Sequence, residues 1–520
     1  MRSETRQSAT PIKGAAWKLA LGPVAAALVL WIEPGDSASV ARMAAIAVWM
    51  ALWWSFEAVP IPVTALLPLV LIPAAGIQSM VELSPVYARS TVFLFLGGFL
   101  LAIGLSQSGV HRRIALTIVG LVGGTPRRVI LGFMLASAIL SMWISNTATV
   151  MVLLPIVLSV IESSRPEEGT EPGEDGQRRS RQFAIALLLG IAYAADIGGM
   201  ATLVGTPPNL VFAQQLTELF PDAPEPSFAE WMTLGLPMSI LFLGCGWLLL
   251  VFVVFRDLGG HLFGSNEAIH AMRRDLGALR RDEVWSSAIF GATALLWITR
   301  KGFDFGAVSI PGWQALPFVP TGMIDDATVA IAMAILLFCL PSKDRSGERL
   351  LEWRMAKEVP WGMLLLFGGG FALAEGFGAS GLSTWVAGHF EALRGAPPLV
   401  IISVVCIVLT FLTELTSNTA TTQMVLPILA SAAVALEMDP RALMIPATLS
   451  ASCAFMMPVA SPTQAVVFGS GLVPIRSMMR VGFWFNLLGV ILVVVFFALF
   501  AGPILGIDPG TLPDWAVLAK

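Results

Sequence analysis

Residues 145–156 read SNTATVMVLLPI, and residues 417–428 read SNTATTQMVLPI. Each stretch sets a serine, an asparagine and at least two threonines inside a largely apolar run. A lone Ser-Asn-Thr cluster in such a run serves most simply as helix–helix glue. Two copies in register ask for another reading. They lie 272 residues apart, and FLGGF (ending at Phe99) and FGGGF (ending at Phe371) keep that offset. A third pair, LVGTPPNLVF with Pro207 and PVASPTQAVVF with Pro462, is offset by 255 residues. The polar segment 163–180, present only in the first half, accounts for the difference. Three matches in the same order make the chain an internal duplication.

Composition places that duplication in a membrane. Of 520 residues, 56% are hydrophobic and 13% charged, roughly half the charged share of a soluble protein, and the mean hydropathy is +0.79. Apolar runs near the ~20 residues that span a bilayer recur. They do not alternate as barrel strands do. The fold class expected is an all-α polytopic membrane protein with about 11 transmembrane helices and two re-entrant hairpins. Candidate spans are about 17–32, 40–56, 59–76, 91–110, 183–212, 231–255, 284–300, 324–341, 361–380, 441–470 and 481–504. The net charge of -4 gives no reason to expect a nucleic-acid partner. Four scattered cysteines show neither a disulfide framework nor metal spacing.

Charge sets the expected topology. Arg2, Arg6, Lys13 and Lys18 flank the first span; Arg127 and Arg128 precede the first motif run, and Arg165, Arg178, Arg179 and Arg181 follow it. Segments 256–283 and 342–357 are also rich in basic residues, whereas EPGDSAS and PDAPEPSFAE hold no Lys or Arg. The positive-inside rule puts the N-terminus and the basic loops in the cytoplasm. Segment 129–161 then has both flanks on one side, so it is read as a re-entrant hairpin with its Ser-Asn-Thr near the tip. By the same count its duplicate, 397–436, enters from outside, and the C-terminus is outside. The repeat is therefore inverted, as in secondary transporters whose site lies at the midplane between broken helices. Segment 257–282 is read as an interfacial amphipathic helix and 163–180 as a flexible polar loop.

The chemistry of the four repeated elements is consistent with such a site. Ser145-Asn146-Thr147 and Ser417-Asn418-Thr419 offer hydroxyls and amides without fixed charge. Thr206-Pro207 and Ser461-Pro462 interrupt their helices, because proline lacks a backbone donor. Each interruption creates a helix N-terminus that favours an anion. On its other side it frees carbonyls that suit a hard cation. No Lys or Arg occurs in 129–161, 183–255, 397–440 or 442–475, so a divalent anion bound there has no basic side chain to pair with. Bound sodium ions would supply the positive charge; a cation substrate is also compatible with the pattern. Thr149 and Thr421, just past each tip, are expected to face the substrate cavity. Asp196 is a proton or cation site or a structural hydrogen-bond partner; Glu414 is read as structural. His111, His261, His270 and His389 are read as lying in or beside loops, and no nucleophile–base set points to an enzyme.

WWSFEAVPIPVTALLPLVLIP, both SNTAT motifs, GTPPN and ASCAFMMPVASPTQAVV resemble the divalent anion–sodium symporter family over nearly the whole chain. Gln464 departs from the family signature, where an asparagine is usual. The resemblance implies a dicarboxylate, citrate or sulfate held between the two Ser-Asn-Thr tips and carried with several sodium ions. It further implies a homodimer working as an elevator. Substrate contacts carried over are Ser145, Asn146, Thr147, Thr206, Pro207, Ser417, Asn418, Thr419, Ser461 and Pro462. The first sodium site would comprise Ser141, Ser145, Asn146 and the Gly205 carbonyl. The second would comprise Thr413, Asn418 and the carbonyls of Thr416 and Ala460. Residues 14–125 and 283–395 would form the scaffold. Residues 126–256 and 396–504 would form the transport domain, with hairpins 129–161 and 397–436 and broken helices 183–212 and 441–470. The expected function is sodium-coupled dicarboxylate import. Sulfate or citrate symport on the same fold, and a sodium/proton antiporter using Asp196, are the alternatives.

Overall fold

A computed structural model describes residues 16–516, except 36, 123, 165–173, 259–264, 305–308, 318, 321–322 and 391–394. The expectations placed on Arg2, Arg6, Lys13, Arg165, His261 and the C-terminal residues 517–520 lie outside the described residues. The chain is helical almost throughout. Seven described helices are long and apolar enough to cross a membrane, and four shorter apolar ones accompany them. A small antiparallel ribbon, Gly302–Asp304 with Ser309–Pro311, and an isolated bridge between Pro341 and Arg349 are the β structure among the described residues.

Both re-entrant segments are helix–turn–helix hairpins. Hairpin 1 runs Pro126–Ser141 and Asn146–Ser163; hairpin 2 runs Pro398–Leu412 and Asn418–Ala435. Thr125 caps the first arm by accepting from the Arg128 amide, and Pro126 occupies a first-turn position where its missing N–H costs nothing. Ser145 and Ser417 are the N-cap residues of the two return arms. The flanks of hairpin 1 meet at one end of the molecule. Arg127 donates to the Arg256 carbonyl, and Arg178 pairs with Asp257. A single tilted helix would have separated Arg127 from Arg178; a hairpin brings them together.

Each broken helix stops short of a proline. Broken helix 1 is Glu174–Gly199, then a break, then Pro207–Leu219; broken helix 2 is Pro440–Ala451, a longer break, then Pro462–Gly469. Glu174–Gly199 is buried almost throughout its apolar stretch, whereas the long span Ile475–Leu505 turns most of its surface outward. The central helix packs on both arms of hairpin 1 and on Pro462–Gly469 of the other half.

The duplication extends beyond the quoted motifs. Ser90–Ser108 and Trp361–Ser380 end alike: Gly109 and Gly381 are left-handed C-caps with φ of 84° and 80°, a conformation glycine adopts without a Cβ penalty. Before each glycine, the Ser108 and Ser380 hydroxyls donate to the carbonyl three residues back. Phe95 and Phe367, again 272 residues apart, stack with ring centroids 4.0 Å apart.

Several expectations are corrected. Span 59–76 is two short helices, Ile61–Thr64 and Leu67–Ala74, with Pro68 in the first turn of the second, where it cannot donate back to the first; the Ala65 carbonyl between them accepts from the Tyr87 hydroxyl at 2.6 Å. The helix of broken helix 1 begins at Glu174, inside the segment read as a loop. His111 and His389 lie beside loops, as read, at the ends of two helices absent from the expected spans, Val110–Val122 and Leu382–Phe390, whereas His270 lies within the helix Ser265–Asp275. Segment 257–282 contains the helix Ser265–Asp275, which packs against Val110–Val122 and the return arm of hairpin 1.

Candidate functional site

The hairpins and broken helices pair crosswise. The return arm of hairpin 1 packs against Pro462–Gly469 of the second half, and that of hairpin 2 packs against Pro207–Leu219 of the first. Four helix N-termini, capped by Ser145, Thr206, Ser417 and Ser461, belong to these two pairs. Thr206 and Ser417 make no side-chain capping bond, so their hydroxyls and the first-turn amides are not committed to each other. Pro207 and Pro462 stand in the first turn of their helices.

In both halves the asparagine of the motif receives the same contact. Ser141 Oγ donates to Asn146 Oδ1 at 2.6 Å, and Thr413 Oγ1 donates to Asn418 Oδ1 at 2.6 Å. Ser141 and Thr413 are buried, while Asn146 and Asn418 are half-buried. Thr413 also reaches the Ala451 carbonyl at 3.1 Å. Around the first asparagine the oxygens converge on a glycine pair. A Cβ built on Gly199 would lie 2.6 Å from Asn146 Oδ1 and 3.1 Å from the Gly205 carbonyl. The structure thus brings together Ser141, Asn146 and Gly205 of the expected first cation set, with Ser145 exposed at the tip. In the second set it joins Thr413 and Asn418. The Thr416 hydroxyl turns to the Leu412 carbonyl, and Ala460 lies buried in the second break. Thr147 is half-buried and Thr419 buried.

The expectation that Thr149 and Thr421 face the cavity is overturned. Both are fully buried, and the Thr421 hydroxyl lies 2.5 Å from that of Thr416 within its own hairpin. Each sits one helical turn past its N-cap, on the face packed against its neighbours.

The two breaks are held open by different chemistry. In the first, Asn209 Nδ2 reaches the carbonyls of Thr202 at 2.7 Å and Gly199 at 3.1 Å, and Thr202 Oγ1 donates to the Met142 carbonyl at 2.5 Å. Neutral groups suffice there. In the second, the Glu414 carboxylate accepts from the amides of Phe455 (2.8 Å), Met456 (2.9 Å) and Met457 (2.9 Å), and from Asn486 Nδ2 at 2.7 Å. Three consecutive amides with no helical partner are satisfied by one side chain, the structural role expected of Glu414. Gln464, where the family asparagine was expected, spans the second break as Asn209 spans the first: its Nε2 donates to the Ala454 carbonyl at 2.9 Å. It also reaches Asp196, which accepts in addition from Asn146, Ser461 and Thr463. Thr463, Gln464 and Asn486 were not singled out as partners. Polarity in apolar runs, and for Gln464 the departure from the family asparagine, are their signals in the sequence, and neither gives a distance.

The family described as the sodium:sulfate symporter transmembrane region matches residues 14–507. The chain belongs to that family. It is a multi-pass membrane transporter, not an enzyme, and sodium is the cotransported ion of its family. The chain is 39% identical over 493 residues to the sodium-dependent dicarboxylate transporter SdcS of Staphylococcus saprophyticus, covering 94% of this chain and 92% of that protein. It is 41% identical over 493 residues, with the same coverage, to SdcS of Staphylococcus aureus. Among solved structures it resembles the YdaH transporter of Alcanivorax borkumensis (TM-score 0.55, 16% identity, 80% of this chain and 86% of that one). It also resembles MtrF of Neisseria gonorrhoeae (TM-score 0.58, 13% identity, 81% and 83%). At these identities the likeness concerns the fold alone.

Proposed function

We propose that the protein imports dicarboxylates such as succinate, malate or fumarate with sodium across the cytoplasmic membrane. The observation that carries the reading is the pair of matched asparagine contacts, Ser141–Asn146 and Thr413–Asn418, on hairpins cross-packed with the opposite half's broken helix. Each asparagine can serve a cation with its oxygen while the adjoining N-termini face an anion. The similarity to dicarboxylate transporters over 94% of the chain supports the substrate class. The first sodium ion takes Ser141, Ser145, Asn146 and the Gly205 carbonyl. The second takes Thr413, Asn418 and the carbonyls of Thr416 and Ala460. The anion contacts Ser145, Asn146, Thr147, Thr206, Pro207, Ser417, Asn418, Thr419, Ser461 and Pro462.

In this reading residues 14–125 and 283–395 are the scaffold of a homodimer embedded in lipid, and 126–256 and 396–504 move against it as an elevator. Segment 257–282 lies at the interface. The N-terminus is cytoplasmic and the C-terminus outside, by the distribution of Lys and Arg. Counterflow in proteoliposomes tests the function: labelled succinate should exchange in sodium and not in choline. Equal exchange in both buffers refutes sodium coupling. Competition by sulfate or citrate but not by unlabelled succinate or malate refutes the substrate class.

A further inference from the structure

The Asp196 carboxyl group is surrounded by neutral donors. It sits three residues before the end of Glu174–Gly199 and is 2% exposed. Its Oδ1 accepts from Asn146 Nδ2 at 3.0 Å and from Ser461 Oγ at 3.4 Å; its Oδ2 accepts from Thr463 Oγ1 at 2.9 Å and Gln464 Nε2 at 3.0 Å. An ionised carboxylate accepts at about four positions and donates at none, so every partner must turn a donor toward it. For Asn146 this fixes the amide. The nitrogen points to Asp196, and the oxygen is left facing Ser141 and the space beside Gly199.

We infer that Asp196 is a positioning residue for cation binding. It orients the Asn146 amide so that an oxygen, not an amino group, faces the first cation site, and it ties that amide to the start of Pro462–Gly469 in the other half. The inference rests on the sodium-coupled reading above. Its sense is clearest when the carboxylate is made an amide. In Asp196→Asn the new side chain keeps its single oxygen for the two donors Thr463 and Gln464, and its amino group faces Asn146. Two amino groups cannot satisfy one another, so Asn146 turns over and presents its own amino group to the cation site, where a hard cation requires oxygen. Exchanging the two residues, Asn146→Asp with Asp196→Asn, removes the conflict. The introduced amide then donates across the same gap, and a carboxylate oxygen again faces Ser141.

The test is thermal unfolding of the purified protein in detergent, titrated with sodium chloride while choline chloride holds ionic strength constant, without substrate. The wild-type midpoint should rise with sodium, since a ligand of the folded state stabilises it. In Asp196→Asn the half-saturating sodium concentration should rise at least about tenfold, as expected for losing one oriented ligand, and in the exchanged pair it should return to within about threefold of wild type. A wild type without a sodium response overturns the sodium-coupled reading and the inference with it. A responsive wild type with an equally responsive Asp196→Asn overturns the inference alone. So does an exchanged pair that folds but stays shifted, because charge at position 196, and not amide orientation, is then what matters. Should Asp196→Asn fail to yield monodisperse protein, the exchanged pair decides: a near-wild-type response supports the inference and none overturns it.

Discussion

Gly199→Ala adds one methyl group at the place where the first cation is proposed to sit. The new Cβ would lie 2.6 Å from Asn146 Oδ1, 3.1 Å from the Gly205 carbonyl and 3.2 Å from Thr206 Cβ. An ordinary contact is near 3.4 Å, so the asparagine oxygen would have to retreat by about 0.8 Å. It is not free to do so, because Ser141 holds its oxygen at 2.6 Å and Asp196 holds its nitrogen at 3.0 Å. Breaking one of these bonds costs about 1–3 kcal/mol, and the methyl group occupies space that the ion needs. Sodium affinity should fall by at least about tenfold, the equivalent of ~1.4 kcal/mol. The assay is initial succinate uptake into proteoliposomes across a sodium series, at matched reconstitution. The half-saturating sodium concentration should rise, and the maximal rate should recover partly at high sodium. An unchanged sodium dependence in well-folded Gly199→Ala would refute the convergence of Asn146 and Gly205 on one cation.

Asn418→Ala should abolish sodium-dependent uptake while leaving a folded protein, since it removes the oxygen bound to Thr413; wild-type uptake at matched expression would contradict the second cation set. Glu414→Gln replaces an acceptor of three consecutive amides by a group with a single oxygen. It should cost about 2–4 kcal/mol, seen as a lower apparent unfolding temperature in detergent, and an unchanged temperature would show that the second break does not depend on the carboxylate. Gly370→Leu should slow succinate exchange without abolishing substrate binding. A Cβ there already meets Gln423 of hairpin 2 at 2.3 Å, so a larger side chain wedges the Trp361–Ser380 helix against that hairpin, and full-speed exchange would contradict close sliding at this seam.

What the sequence made legible was whatever covalent geometry forces. Pro207 and Pro462, each beside small or hydroxyl residues, marked the helix breaks, though Pro155 and Pro427 sit inside continuous helices, and duplicated Ser-Asn-Thr clusters marked the hairpin tips. Arginines on both flanks of 129–161 implied a return to the same end, which the Arg127–Arg256 and Arg178–Asp257 contacts bear out. What stayed hidden depends on three-dimensional neighbours. The helix Val110–Val122 was absent from the expected spans because the charges of His111, Arg112 and Arg113 beside an apolar run resemble a boundary, yet Arg113 reaches Glu283 and the helix runs through it. Thr149 and Thr421 were misplaced because a hydroxyl in an apolar helix satisfies packing as readily as a cavity. Asp196 could be flagged as unusual, but that its four donors come from both halves of the chain is a fact of distance, not of pattern.

The ring stack of Phe95 on Phe367 has the form of an isologous contact, in which a patch meets its own copy. Such a contact ordinarily joins two identical subunits, and here a single chain makes it with itself. That geometry fits a history in which two copies of one shorter polypeptide first associated through this phenylalanine and were later fused. Fusion lifts the requirement that both sides change together. The second break could then acquire Glu414 as its anchor while the first kept Asn209, a divergence that two products of one gene could not have sustained.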